Sequence, residues 1–347
     1  MTDGRTLLKA IERGSTKQIG VVGDYMLDEY VLGTVTRISP ESPVPVVEHG
    51  SRYSTLGGAG NVSMNVRSLG GVPLPFGLVG NDLAGRKIKS DLEEQAGTTA
   101  KYVFVDSTRP TTVKTRIIAH HQQLLRIDSE SKAPMGAELR AKLIAGVKSE
   151  LPDVGALIVS DYDKGVVNRT MLDELLRVCV AANVPVVLDP KNFDLTGVGP
   201  VTVITPNERE AERFSGHRVD GDAGAELAGR GLLERTGARN VLITRGEHGM
   251  SLVSDEGRIV HMPAQSKEVY DVTGAGDTVV AVLALALAAG EELADAAHLA
   301  NIAGGIVVGK MGTATVTQEE LKSALAGSWP NPISGRMRLR SLAAGAV

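Results

Sequence analysis

The sequence predicts a three-layer α/β/α sandwich on a mostly parallel central sheet, with a small β lid beside it. Three observations predict it. Short apolar, β-branched runs recur at residues 19–22, 74–79, 156–159, 184–188, 201–204 and 241–244. Longer segments of helical period lie between them, at 60–69, 83–95, 137–150, 169–182, 208–214 and 225–235. Two further stretches, 30–47 and 111–127, follow neither pattern. Strands apolar on both faces and separated by helices read as a parallel sheet covered on both sides, which is a layered α/β architecture.

The elements follow in order. The first strand ends at Gly23-Asp24, and the stretch 30–47 then carries Pro40, Pro43 and Pro45 between short apolar runs. The stretch 111–127 alternates loosely without a helical face. Both are predicted as antiparallel strands outside the main sheet, forming a lid that covers a substrate or joins subunits. Ahead of the helix at 83–95, Gly80-Asn81-Asp82-Leu83-Ala84-Gly85-Arg86-Lys87 nearly spells a phosphate-binding P-loop. Arg86 stands where that motif needs lysine, and no Ser or Thr follows Lys87, so it reads as a strand-to-helix turn. An apolar run at 279–289 and a helical segment at 294–308 complete one domain over residues 1–326. Residues 327–347, with Pro330, Pro332, Arg336, Arg338 and Arg340, read as a surface tail.

Composition excludes several classes. Lys plus Arg is 37 and Asp plus Glu is 41, a net charge of −4, which argues against broad binding to nucleic acid or an anionic membrane. Cys179 is the only cysteine of the chain, so no internal disulfide forms, and it reads as a buried thiol in an apolar helix. The N-terminus carries charges where a signal peptide needs an apolar stretch, and the run 279–289 is too short to span a bilayer. A soluble, cytoplasmic protein is expected. The seven histidines include no HExxH pair, and no zinc signature occurs. The adjacent His120 and His121 fall in the lid and read as surface residues.

The sharpest chemical signal is Asp271-Val272-Thr273-Gly274-Ala275-Gly276-Asp277-Thr278, directly before an apolar helical run. Gly274 and Gly276 let the backbone approach a ligand without Cβ interference. A helix starting there aims its free N–H groups and positive dipole end at the same point. That arrangement stabilises charge on a phosphoryl group in transit. A carboxylate in the first turn, Asp277, can then accept a hydroxyl proton from the acceptor. A glycine turn with an acid favourable to the helix dipole is the plain alternative. Two acids bracketing the glycines make the signal more specific than that.

This octapeptide resembles the C-terminal signature of the ribokinase/PfkB carbohydrate kinases, and the resemblance extends along nearly the whole chain. It implies a ribokinase-like fold, ATP and Mg2+, and Gly274, Ala275, Gly276 and Asp277 as the catalytic segment. The family's N-terminal glycine signature resembles Gly57-Gly58-Ala59-Gly60-Asn61, where a Gly-Gly turn and Asn61 would reach sugar hydroxyls. The family's sugar-binding acid, five residues after a strand-end glycine, falls on Asp28; Asp24 could instead cap a turn. Its metal-region motif resembles Thr205-Pro206-Asn207-Glu208-Arg209-Glu210, so Asn207 and Glu210 would hold Mg2+ through water beside the triphosphate. Without the resemblance, Asn207 is simply a good helix N-cap. Thr244 and Gly246 resemble the nucleotide loop, and Asn301 falls where the family lines its adenine pocket. Asp271, Thr273 and the backbone near Gly312 could form a monovalent-cation (K+) site as in some relatives.

Within the family, residues 23–47, 122–128 and 160–167 resemble the D-glycero-β-D-manno-heptose 7-phosphate kinases of bacterial lipopolysaccharide synthesis. The resemblance implies phosphorylation of the anomeric C1 hydroxyl to the 1,7-bisphosphate. Many such kinases are fused to a nucleotidyltransferase with an HxGH motif; that motif does not occur here, so a stand-alone kinase is expected. The 7-phosphate needs cations, for which Arg109, Arg116, Arg126, Lys164 and Lys87 are candidates, with Arg109, Arg126 and Lys164 preferred. A homodimer through the lids is expected, since open strand edges are a pairing liability in a monomer. Rival readings are a kinase of another sugar and a non-catalytic sugar-binding regulator on the same fold. A Rossmann dehydrogenase needs GxGxxG after the first strand, and Gly23-Asp24-Tyr25 does not supply it.

Overall fold

The computed structural model describes residues 12–13, 16–120, 122–265 and 269–326, so the predicted tail and His121 lie outside the described residues. The strands are β1 (Gln18–Gly23), β2 (Tyr25–Ile38), β3 (Pro45–Gly58), β4 (Val72–Val79), β5 (Tyr102–Val105), β6 (Thr112–Ala119) and β7 (Gln122–Ser129). They continue with β8 (Val154–Ser160), β9 (Val186–Asp189), β10 (Val203–Ile204), β11 (Asn240–Thr244), β12 (Met250–Ser254) and β13 (Ile259–Met262). The helices are α1 (Ala59–Ser68), α2 (Leu83–Glu94), α3 (Ala137–Glu150), α4 (Arg169–Ala181), α5 (Glu208–Ser215), α6 (Gly221–Thr236), α7 (Ala275–Ala288), α8 (Leu293–Val307) and α9 (Gln318–Leu325).

Among the described residues the main sheet has nine strands in the order β13-β12-β11-β10-β9-β8-β1-β4-β5. From β11 to β5 its pairs are parallel, while β12 and β13 add an antiparallel edge. Ile19, Val21 and Ile158 face one core with α1, α7 and α8, whereas Val22, Leu157 and Val159 face a second core with α3 and α4. Both faces are therefore covered, as the apolar runs predicted. Every residue of α7 from Asp277 to Ala286 is buried. An apolar side chain contributes about 1.5–3 kcal/mol when fully buried, so this helix is held firmly by its sides and its first turn is fixed in the cleft.

The lid is a separate four-stranded sheet in the order β3-β2-β6-β7. It departs from the predicted all-antiparallel pairing, because β2 and β6 run parallel, from Met26↔Thr112 to Gly33↔Ala119. The chain leaves β2 by the β3 hairpin, crosses through α1, β4, α2 and β5, and re-enters on the other side of β2; such a crossover permits parallel entry. The lid also begins earlier and ends later than predicted, since β2 starts at Tyr25 and β3 runs on to Gly58. The near-P-loop is a strand-to-helix turn, in which Asp82 caps α2 by accepting from the Gly85 N–H at 2.8 Å. Asp82 also accepts from the Thr111 N–H and hydroxyl, tying that turn to the entry of the lid.

Candidate active site

The carboxyl ends of the parallel strands form one floor, the usual ligand side of an open α/β sheet. Asp24 follows β1, Asp161 and Tyr162 follow β8, Asp189 ends β9, Asn207 follows β10 and Thr244 ends β11. Neighbouring strand ends are stitched together: the Asp24 N–H donates to the Ser160 carbonyl, Asp161 N–H to the Asp189 carbonyl, and Thr244 N–H to the Pro206 carbonyl. The start of α7 brings Asp277 onto this floor.

Gly274 caps α7 in the left-handed region at φ 79°, where glycine is favoured, and leaves Ala275, Gly276 and Asp277 as the first turn. Asp277 is buried, and both of its oxygens carry a donor. Asn61 Nδ2 donates to Oδ2 at 2.6 Å, and the Tyr162 hydroxyl donates to Oδ1 at 2.5 Å. Burial lifts the Asp277 carboxyl to about 6, with the Tyr162 and Asn61 hydrogen bonds pulling down and the Asp28 charge pushing up. A carboxyl with this value is largely ionised at neutral pH and still able to hold a proton.

The lid supplies the facing wall. Asp28 on β2 is buried and accepts from Arg116 Nη1 at 2.6 Å. Gly57 stands against it, and a Cβ there would run into the Asp28 carboxylate. Gly58 takes φ 56° as the chain turns from β3 into α1. The glycine pair thus turns the chain at the end of a lid strand, and its lack of side chains admits Asp28. Asn61 reaches Asp277 instead of standing free toward the cleft.

A second group of residues lies around Thr244. Asn207 forms a parallel bridge to Thr244 and a full capping box with Glu210, each side chain bonding the other's backbone N–H at 3.0 Å. Glu208 is half-buried and Arg209 exposed in the same turn, and Gly246 is exposed at φ 52°. Glu210 also binds Lys191 Nζ at 2.7 Å. Asn301 is buried, and its Nδ2 holds the Pro263 carbonyl at 2.8 Å, anchoring the segment that leaves β13. Asp271 accepts from the Thr273 and Gly312 N–H groups, which ties the glycine loop to the segment after α8.

Among the described residues, no three His, Cys, Asp or Glu side chains converge as a ready-made metal site. The donor set nonetheless suits a hydrated divalent ion. Burial, with the Glu210 and Asp277 charges beside it, drives the Asp189 carboxyl well above the usual carboxylate range. That surplus of negative charge is what a bound cation relieves. Magnesium keeps several waters and uses one or two carboxylates with substrate phosphates.

The candidate phosphate-binding cations all have partners within the protein. Arg109 has a side chain only 8% exposed and is consumed by Asp106 at 3.0 Å and by the carbonyls of Lys164 and Ala133. Its fork braces two loops. Lys87 pairs with Asp91 along α2, away from the floor. Arg126 clasps Asp128 through two hydrogen bonds of 2.9 Å, and Lys164 Nζ binds Glu130 at 2.9 Å. Beside them stand Arg116 and Lys114, which lies 3.5 Å from Asp128 and 3.6 Å from Glu130. Tyr162, Asp189 and Lys114 escaped sequence reading. The stretch 160–167 and the Asp189-Pro190 pair after a strand were the available signals, but neither carries an isolated motif.

A buried carboxylate at a glycine-lined helix start, a facing acid on the lid and a floor of parallel strand ends together suit a sugar kinase. The sequence matches the family described as pfkB family carbohydrate kinase over residues 17–320, and the chain belongs to that family. It is 45% identical over 325 residues to the bifunctional protein HldE of Paramagnetospirillum magneticum, covering 94% of this chain and 66% of that protein. It is 43% identical over 317 residues to the bifunctional protein HldE of Caulobacter vibrioides, covering 91% and 65%. The chain thus spans just under two thirds of the length of these relatives. Among solved structures, Arabidopsis thaliana ribokinase complexed with ribose and ATP superposes with a TM-score of 0.70 at 19% identity, over 89% of this chain and 99% of that one. Escherichia coli phosphofructokinase-2 in complex with fructose-6-phosphate gives 0.72 at 16% identity, over 90% and 99%. No described helix is long and apolar enough to cross a membrane.

Proposed function

We propose that this chain transfers the γ-phosphoryl group of ATP to the anomeric C1 hydroxyl of D-glycero-β-D-manno-heptose 7-phosphate, giving the 1,7-bisphosphate and ADP for lipopolysaccharide core synthesis. The observation that carries this reading is the bipolar cleft, with the buried base Asp277 at one end and a cationic lid row at the other. Asp28 holds ring hydroxyls beside the base. Asp277 takes the proton as the O–H bond breaks, the freed oxygen bonds to the γ-phosphorus, and the β–γ bridge oxygen leaves with ADP. The first-turn amides of α7 stabilise the charge spread over the transferred group. Thr244 and Gly246 border the triphosphate, and Asn301 keeps the wall beside the base of the nucleotide in shape. Asn207 and Glu210 would hold Mg2+ through water, and the ion would supply neutralisation of phosphate charge. The loop tied by Asp271 is the K+ candidate.

The distal phosphate goes to Arg116 and Lys114, with Arg126 and Lys164 beside them. Arg116 and Arg126 lie directly opposite each other across β6 and β7, an unfavourable like-charge pairing. Lys114, Arg116, Arg126 and Lys164 pair with Asp28, Asp128 and Glu130, four cations sharing three carboxylate partners. An incoming phosphate relieves the like-charge pairing. The outer lid face leaves Leu125 at 54% and Ile127 at 51% exposed, and a second copy covers it in a cytoplasmic homodimer. The test is ADP release with heptose 7-phosphate, fructose 6-phosphate, ribose and unphosphorylated heptose, followed by phosphorus NMR of the product. Heptose 7-phosphate should exceed the others in kcat/KM by about two or more orders of magnitude. Equal rates with free sugars, or phosphate on any oxygen but C1, would reject the substrate assignment.

A further inference from the structure

The loop Asp161–Val166 has an unusual internal design. The N–H groups of Tyr162, Lys164 and Val166 all donate to the carboxylate of Asp24, at 2.8, 3.1 and 3.1 Å. Alternate amides can point the same way because Asp163 and Gly165, between them, take left-handed φ values of 61° and 86°. The result is a concave amide cradle of the kind that binds anions, here filled by a side chain from the end of β1. A non-glycine left-handed residue is uncommon and persists only where its surroundings over-determine it. They do so here. Asp161 accepts from the N–H groups of Asp163, Lys191 and Asn192 at 2.9, 2.7 and 3.3 Å. The Met135 N–H binds the Gly165 carbonyl, and Arg109 binds that of Lys164.

Turn capping alone does not need so much. The loop carries one side chain to the chemistry, the Tyr162 hydroxyl on Asp277 Oδ1 at 2.5 Å. Asn61 holds the other oxygen and is itself tethered, since Asn65 Nδ2 donates to the Asn61 carbonyl and Thr278 to Asn65 Oδ1. A carboxylate gripped at both oxygens cannot swing out of line with the acceptor, yet each oxygen keeps a lone pair for the incoming hydroxyl. We propose that Tyr162 is a positioning residue for the base, and that the Asp24 carboxylate, by folding the loop Asp161–Val166 around itself, sets Tyr162 in that position. This rests on Asp277 being the base of the kinase reading.

The groups facing Asp277 are Tyr162 from the loop after β8, Asn61 from α1, Asp28 from β2 and Asp189 from the end of β9. Burial and the Asp28 carboxylate push its proton affinity up, and Tyr162 and Asn61 pull it down. Removing the Tyr162 hydroxyl therefore has a definite sign. Tyr162→Phe keeps the ring and the fold and deletes the donor.

In the ligand-free protein, carboxyl carbon NMR with 13C-labelled aspartate follows Asp277, assigned through Asp277→Asn. Its midpoint should move up by about one pH unit in Tyr162→Phe, the direction expected when a carboxylate loses a hydrogen bond. With heptose 7-phosphate and ATP, kcat should fall about tenfold to a hundredfold while the KM for sugar changes less than about threefold. Asp24→Asn should act through the same residue, so the double variant should be no slower than the slower single variant. An unmoved Asp277 midpoint in Tyr162→Phe overturns the proposal, as do losses in kcat that multiply between Asp24→Asn and Tyr162→Phe. Should the wild-type chain phosphorylate none of the sugars offered, the kinase reading falls, and the substrate-free titration still decides the role of Tyr162.

Discussion

The two ends of the cleft are built on opposite terms. At the base end, Asp277 is buried, sits on a helix packed on all sides, and is bound by two neutral donors. At the lid end, Lys114 and Arg116 remain partly exposed on a four-stranded sheet and are engaged by carboxylates. One end holds its central carboxylate in a fixed geometry, which suits bond-making steps common to every substrate. The other holds several charges in a network that an arriving anion can re-pair, which suits recognition. On the proposed reading, rigidity would confer the chemistry and exchangeable ion pairs the specificity.

The largest effect should come from the rigid end. Asp277→Asn preserves shape and the helix start but cannot take the proton, so kcat should drop by roughly two or more orders of magnitude while ATP binding, measured by calorimetry, persists. Near-normal turnover would remove Asp277 from its role and leave the comparison without a base end.

At the lid end, Arg116→Ala should lower kcat/KM for heptose 7-phosphate by about a hundredfold, since a charge-assisted phosphate contact contributes ~1.5–3 kcal/mol and Asp28 loses its partner too. Free heptose should lose far less. Arg109→Ala gives the contrast, with lower thermal stability and an unchanged ratio between phosphorylated and free sugar. If the two variants exchange these outcomes, the distal phosphate lies nearer the base of the lid.

A pH profile separates the ends in another way. Asp277 must be ionised to act, and its carboxyl is raised to about 6, so kcat falls as pH drops through that value. Below it the decline should approach tenfold per pH unit. Saturating sugar is needed for this measurement, because the second ionisation of a phosphate monoester also lies near 6 and moves kcat/KM. A flat kcat between pH 5 and 8 would contradict a buried, raised base.

The smallest catalytic effect should attend assembly. Leu125→Asp on the exposed strand β7 should convert a dimer into a monomer by light scattering, with kcat changed only a few-fold. A wild-type monomer at micromolar concentration would instead leave that apolar face unexplained.

Much of this was legible from residue patterns. The parallel body followed from apolar runs at strand length, because a strand buried on both faces has no polar side to display. The start of α7 was legible for a similar reason: Gly274 and Gly276 before an apolar helix state a backbone requirement within eight residues. The capping box of Asn207 and Glu210 is likewise local, since its partners are three residues apart. Periodicity missed β5, β12 and β13, which lie at the two ends of the main sheet.

Contacts across the fold were a different matter. Asn61 and Asp277 are 216 residues apart, Tyr162 and Asp277 are 115 apart, and Asp24 meets a loop some 140 residues away. No spacing rule connects such pairs. Arg109 looked better suited to phosphate than Arg116, and only the structure reveals that its fork already binds Asp106 and the carbonyls of Ala133 and Lys164. The parallel pairing of β2 with β6 was equally hidden, since direction depends on the route between strands. By itself the sequence determined the layered body, the glycine-lined helix start and the acid at Asp277, because each is written in neighbouring residues. Tertiary structure alone decided which side chains grip that acid and which cations stay available to a ligand, because hydrogen-bond capacity is shared out only when distant segments meet.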